Sequence, residues 1–197
     1  MFVRNYMTKN PVVIPAGTEV RRAFHLLKKH GFRQFPVVKG GKLVGIITDR
    51  DLRVTLLRPN LTVEDIMTIN PLTIREDASL ESAILILGKE KFNALPVVSE
   101  SGELRGIITT IDILDALIGL LGSKETQARV YIEAPQGDSL PLWEMIRTIQ
   151  LEGGEVLSVM SERKDRKNYY ICVTNCNIKN AVKRLREKGA DAVEVGI

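Results

Sequence analysis

Two threonine–aspartate pairs at identical spacing, Thr48 with Asp51 and Thr109 with Asp112, are the side chains of this 197-residue chain best placed to do chemistry together. Each pair ends an apolar run, in GIITDRD (Gly45 to Asp51) and GIITTID (Gly106 to Asp112). The pattern predicts a strand running into a helix, with the carboxylate in the first helical turn. Glycine lets a ligand or another backbone approach such a corner closely. A hydroxyl and free helical N–H groups can meet a phosphate, and a carboxylate can accept from both hydroxyls of a ribose. Thr and Asp at this spacing also cap a helix with no ligand present. One copy alone favours the cap; two identical placements in one chain shift the balance toward a nucleotide cradle. Arg50 and Arg53 follow Thr48 and suit phosphate oxygens, whereas their counterparts in the second copy are Ile111 and Leu114.

The corners belong to a longer internal repeat. MTKNPVVI (Met7 to Ile14) matches MTINPLTI (Met67 to Ile74), FPVV matches LPVV, and with one gap 19 identities fall within 46 residues. Two copies are too few for an open solenoid, so they are expected to pack on each other as a pseudo-symmetric pair. In the first copy a strand is expected at Val12 to Ile14, then Thr18 as N-cap of a helix ended by Gly31. A hairpin of Phe35–Val38 and Leu43–Thr48 through Gly40 and Gly41 follows, and then a second helix from Asp49. The second copy repeats this β-α-β-β-α order, with its first strand near Leu72, Thr73 and Ile74.

Past Gly122 the polar stretch SKETQ (Ser123 to Gln127) reads as a junction. Beyond it the periodicity predicts β-α-β-β-α-β, the ferredoxin-like order, with Trp143 and Tyr169 and Tyr170 filling its core. The expected domains are 1–60, 61–122 and 123–197, in a mixed α/β (α+β) fold.

Composition narrows the function classes. Hydrophobic residues at 44% and charged residues at 26% describe an ordinary globular chain. The longest near-apolar stretch, Ile113 to Gly122, is too short for a membrane span. Two cysteines and no apolar run of signal-peptide length predict a cytoplasmic protein. His25 and His30 are five apart and off each other's helix face, and Cys172 and Cys176 lack further ligands, so no metal site is expected. No nucleophile stands beside a base and no P-loop occurs, which argues against an enzyme. The net charge of +4 does not call for nucleic acid, but it is uneven. Residues 1–60 hold 12 basic and 3 acidic side chains, and residues 61–122 hold 4 and 10.

Met7 to Leu57 and Met67 to Leu121 resemble a tandem pair of cystathionine-β-synthase (CBS) domains, a Bateman module, through the M-T-x-x-P opening, the P-V-V strand and the closing G-h-h-T-x-x-D. The resemblance implies clefts between the two copies that bind an adenosine-containing regulatory ligand: AMP, ADP, ATP or S-adenosylmethionine. It implies ribose contacts from Asp51 and Asp112, phosphate contacts from Thr48 and Thr109, and adenine against Val12, Val13 and Ile14 and against Leu72, Thr73 and Ile74. The C-terminal unit resembles an ACT domain, and APQGDSL implies a ligand loop at Gly137 and Asp138; Ser139 capping the next helix is the alternative. A CBS pair followed by an ACT-like unit is similar to the acetoin-utilisation B type of regulatory protein. The expected protein is therefore a non-catalytic, energy-sensing regulator that forms a homodimer and acts allosterically on a partner protein. Two other readings stay open: an interaction scaffold with vestigial clefts, and a nucleic-acid-binding module using the basic first copy.

Overall fold

The computed structural model describes residues 1–58, 60–121, 128–135, 140–163 and 167–196. The chain forms two compact units, Met1–Leu114 and Asp115–Ile197. The fold is mixed α/β throughout.

The first unit opens with a 3-10 turn, Val3–Asn5, and then runs β1 (Thr8–Lys9), β2 (Ile14–Pro15), α1 (Val20–His30), β3 (Gln34–Lys39), β4 (Lys42–Thr48) and α2 (Asp49–Thr55). After the turn Val63–Asp65 the order returns as β5 (Thr68–Ile69), β6 (Ile74–Arg75), α3 (Leu80–Glu90), β7 (Ala94–Val98), β8 (Leu104–Thr109) and α4 (Thr110–Leu120), of which the residues up to Leu114 belong to this unit. The hairpins and helices lie where the periodicity puts them. The strand expected at Val12 to Ile14 is shorter and later: only Ile14 and Pro15 pair, with Val37 and Val38. Thr18 is not the N-cap of α1. That position is Glu19, without a side-chain bond, while the Thr18 carbonyl accepts the Val63 N–H at 2.8 Å. The first N–H of α1, that of Val20, donates instead to the Leu61 carbonyl at 3.0 Å, in the segment before the second repeat.

That link is one side of an exchange. The sheet β2-β3-β4-β5 takes its last strand from the second repeat, and β6-β7-β8-β1 takes its last from the first. Gly45 pairs with Ile69 and Ile46 with Thr68; symmetrically, Thr8 pairs with Ile107 and Lys9 with Gly106. Val63 completes the core of Phe35, Val37, Ile47 and Leu52, all fully buried, each such side chain contributing about 1.5–3 kcal/mol by leaving water. The two repeats are therefore tied by hydrogen-bonded strands.

The exchange explains the glycines of the two corners. A Cβ on Gly45 would stand 2.5 Å from the Met67 sulfur and 2.9 Å from the Thr68 carbonyl oxygen. On Gly106 it would stand 2.7 Å from the Met7 sulfur and 2.8 Å from the Thr8 oxygen. Another backbone, rather than a ligand, needs the space.

The second unit contains β9 (Ala128–Glu133), α5 (Leu142–Leu151), β10 (Glu155–Arg163), β11 (Lys167–Thr174), α6 (Ile178–Glu187) and β12 (Asp191–Val195). Its strands form one antiparallel sheet, β10-β11-β9-β12, which is the ferredoxin-like arrangement. Val130, Ile132, Ile171 and Val173 meet Met145, Ile149, Ala181 and Leu185 in its core. Two aromatics depart from the expected core. Trp143 is 62% exposed, because α5 turns Met145, Thr148 and Ile149 inward instead. Tyr169 packs on the core, but the strand's alternation puts Tyr170 on the opposite sheet face, 5.1 Å from Tyr131. Both cysteines are free thiols, Cys172 buried and Cys176 partly so. Gly137, Asp138, Ser139 and the 123–127 junction lie outside the described residues. Among the described residues no helix is long and apolar enough to cross a membrane.

Candidate functional site

At the end of β4, Thr48 adopts an extended conformation and caps α2. Its N–H and its hydroxyl both donate to Asp51 Oδ2, at 3.0 and 2.6 Å, and the hydroxyl oxygen accepts the Asp51 N–H at 3.3 Å. Thr109 and Asp112 reproduce the set at 2.7, 2.7 and 3.2 Å. The capping geometry is thus present at both corners, and it limits what else these residues do. A hydroxyl has one proton, and here that proton is committed to the aspartate. Thr48 could donate to a phosphate only by releasing Asp51. Nor do two of the N–H groups in the first turn of α2, those of Asp49 and Asp51, stand open as the sequence suggested. That of Asp49 donates to the Arg33 carbonyl at 2.8 Å, and that of Asp51 to Thr48. Asp51 keeps an acceptor in reserve, because both bonds to its carboxylate load Oδ2 and Oδ1 has no hydrogen-bond partner among the described residues.

A cavity of about 600 Å³ opens beside the first corner, a size suited to a small-molecule ligand. The first repeat contributes Thr48, Arg50 and Arg53; the second contributes Leu72 on the chain before β6 and Phe92 on the loop before β7. Of the six residues expected at the base, Leu72 alone lines this cavity; it is 46% exposed. Val12 and Val13 are exposed elsewhere in the unit, Thr73 is half-buried, and Ile14 and Ile74 point into the cores. Asp51, Thr109 and Asp112 are not among the lining residues.

The cavity is cationic. Arg33, Arg50, Arg53 and Lys91 line it together with a single carboxylate, Asp49. Asp49 Oδ2 holds Arg53 in an ion pair at 2.6 Å, and its Oδ1 is buried with no hydrogen-bond partner among the described residues. Sequence reasoning singled out Arg50 and Arg53 but missed Arg33, Asp49, Phe92 and Lys91. For Lys91 a signal existed: α1 ends on Gly31 at φ 68, and the equivalent end of α3 is Lys91 at φ 55, where glycine is the usual residue. At the second corner the positions of Arg50 and Arg53 are taken by Ile111 and Leu114, 67% and 57% exposed, so that corner carries no such charge.

Comparison with known proteins agrees with this architecture. The CBS domain family matches residues 3–58 and 63–119. An inosine-5'-monophosphate dehydrogenase from Korarchaeum cryptofilum is 32% identical over 130 residues, 66% of this chain and 27% of that protein. A second such dehydrogenase, from Halalkalibacterium halodurans, is matched over 42% of its length, so the chain spans less than half of these relatives. Among solved structures, CBSX2 in complex with AMP is 32% identical with a TM-score of 0.55, covering 60% of this chain and 96% of that one. The CBS pair of protein MJ0100, solved with 5'-methylthioadenosine and S-adenosylmethionine, is 32% identical at a TM-score of 0.56, covering 60% and 97%. A putative acetoin utilisation protein, AcuB, from Vibrio cholerae is 28% identical at 0.58, covering 64% and 96%. Two matched segments that together span more than half of the sequence, on the two exchanged repeats seen in the fold, place this chain in the CBS domain family as a tandem CBS pair.

Proposed function

We propose that the cationic cleft binds an adenosine-containing regulatory ligand, of the AMP, ADP, ATP or S-adenosylmethionine type, and that the chain is a sensor rather than a catalyst. The observation that carries this reading is the cleft itself. It brings Thr48, Arg50 and Arg53 of one repeat against Leu72 and Phe92 of the other, a phosphate-attracting wall facing an apolar and aromatic one. The ligands bound by CBSX2 and by the MJ0100 pair support the adenosyl chemistry. Asp51, which does not line the cleft but is bonded to the lining residue Thr48, would take a ribose hydroxyl on Oδ1 at the cleft's edge, and Asp112 would do so in the second copy. Thr109, Val12, Val13, Ile14, Thr73 and Ile74 would act through backbone or by shaping the walls.

A ligand touching both repeats favours whichever arrangement of them it fits better, and by linkage it shifts that equilibrium only as far as its affinities for the two states differ. In this reading the C-terminal unit, ACT-like in its strand order, dimerises the protein and passes the shift to a partner protein, with Gly137 and Asp138 as a second ligand loop. The dehydrogenase activity of the longer relatives is not carried over, since the match covers less than half of them.

Thermal denaturation with AMP, ATP and S-adenosylmethionine tests the reading, because a ligand bound only to the folded state raises the melting temperature with concentration. A rise of about 2.7 kcal/mol in stability is expected at a hundredfold excess over Kd. No rise with any of the three would leave the scaffold reading, which the exposed Ile111 and Leu114 at the second corner favour. Steeply salt-dependent binding to DNA would favour the basic first repeat as a nucleic-acid surface.

A further inference from the structure

Two observations on the cleft point beyond an adenosyl ligand in general. The first is where its cations stand. Asp49 engages Arg53, which leaves Arg33, Arg50 and Lys91 with no carboxylate partner among the described residues. Arg33 and Arg50 belong to the first repeat and Lys91 to the second, so positive charge faces the cavity from both walls. A single terminal phosphate carries about two negative charges on one atom centre. Linked phosphates spread anionic oxygens along a chain, so they reach cations on two walls more readily than a single phosphate does.

The second observation is the backbone of Lys91. A left-handed conformation is disfavoured for any residue with a Cβ, and the equivalent position of the first repeat obeys that preference with Gly31. Nothing in the turn itself calls for a lysine; its N–H bonds the Leu87 carbonyl as a glycine's would. A strained residue whose side chain lines a cleft is the pattern expected of a side chain kept for what it touches.

Resting on the reading of the cleft as an adenosine site, we propose that its ligand class is adenosine with two or three linked phosphates, and that Lys91 is the second repeat's contact to the phosphate chain. The base would lie toward Leu72 and Phe92, and the chain would run from Arg50 to Lys91, tying the repeats together.

Calorimetric titration of the full chain at fixed ionic strength without magnesium, using adenosine, AMP, ADP, ATP and pyrophosphate, tests this. ADP and ATP are expected to bind at least about tenfold tighter than AMP, the equivalent of one charge-assisted hydrogen bond. In Lys91→Gly the ATP affinity should fall by about tenfold, while that of AMP changes by less than about twofold. The melting temperature of ligand-free Lys91→Gly should hold or rise, since the strain is relieved; should it fall, Lys91→Gln, which keeps a side chain of similar length, carries the affinity test, and Lys91→Arg should restore ATP binding. Equal affinities for AMP and ATP, or an ATP affinity indifferent to Lys91, would overturn this inference and leave the adenosyl site standing. Pyrophosphate binding as tightly as ADP would overturn it too, by showing that the site reads phosphate alone. Failure of every nucleoside compound to bind would remove the adenosyl site and this inference together.

Discussion

The exchange of strands between the repeats makes a sharp prediction at Gly45. Alanine there adds one carbon, which would stand 2.5 Å from the Met67 sulfur and 2.9 Å from the Thr68 carbonyl oxygen. The thioether is at the end of a flexible side chain and can swing away. The carbonyl is main chain, held because Gly45 and Ile46 pair with Ile69 and Thr68. Relief therefore means separating β4 from β5, which joins the two repeats. Overpacking of this kind costs about 1–3 kcal/mol, or about 4–12 °C in melting temperature for a unit near a hundred residues. Gly106→Ala should behave alike, with its new carbon 2.8 Å from the Thr8 oxygen. Gly88→Ala is the control: it lies in α3 with nothing within 4 Å of the added carbon. There alanine should stabilise by about 0.5–1 kcal/mol through helix propensity. Differential scanning calorimetry of the three variants decides the matter. Gly45→Ala melting within a degree of the parent would refute the exchange as the reason for this glycine.

Other consequences are open to direct measurement. Asp51→Ala and Asp112→Ala each remove a capping box and should lose about 1 kcal/mol by urea titration, but only Asp51→Ala should also weaken ATP at the cationic cleft; unchanged affinity in Asp51→Ala would unseat the ribose assignment. The Thr62 N–H and hydroxyl both donate to Asp65 Oδ2 at 2.8 Å, the N–H first in effect, and hold that carboxyl below its ordinary range. A depressed carboxyl stabilises the fold above its unfolded pKa and loses that contribution as pH falls through the folded value. The urea midpoint should thus fall more steeply below about pH 4 in the parent than in Asp65→Asn, and parallel curves would count against it. Burial, with Glu152 nearby, pushes the Cys176 thiol up, so its alkylation by iodoacetamide at pH 8 should be slower than in the urea-unfolded chain; equal rates would contradict that burial.

What the sequence disclosed and what it withheld follow from how local each signal is. The Gly40–Gly41 hairpin, the helix stop at Gly31 and the order of the last six elements depend on neighbours within a few residues, and periodicity reads them directly. Trp143 was misjudged because α5 has apolar residues on more than one side, and one helix does not reveal which side the sheet covers. The partners of Met7–Thr8 and Met67–Thr68 were hidden for another reason. The two M-T-x-N-P segments are nearly identical, so nothing in their chemistry tells a strand that joins its own repeat from one that joins the other, and two-residue strands show no alternation. Arg50 and Arg53 were legible beside Thr48. Lys91 was not, since it reaches the cleft from about forty residues further along the chain, and only its place at a glycine position gave it away. The commitment of the Thr48 proton to Asp51 is a matter of angstroms that residue types do not encode.

A crystal structure of the full chain grown with ATP tests the central claim most directly. The account predicts electron density between the repeats, with the phosphates running from Arg50 toward Lys91, the base beside Leu72 and Phe92, and the ribose at the free oxygen of Asp51. An empty cleft with the nucleotide bound at another surface would contradict it.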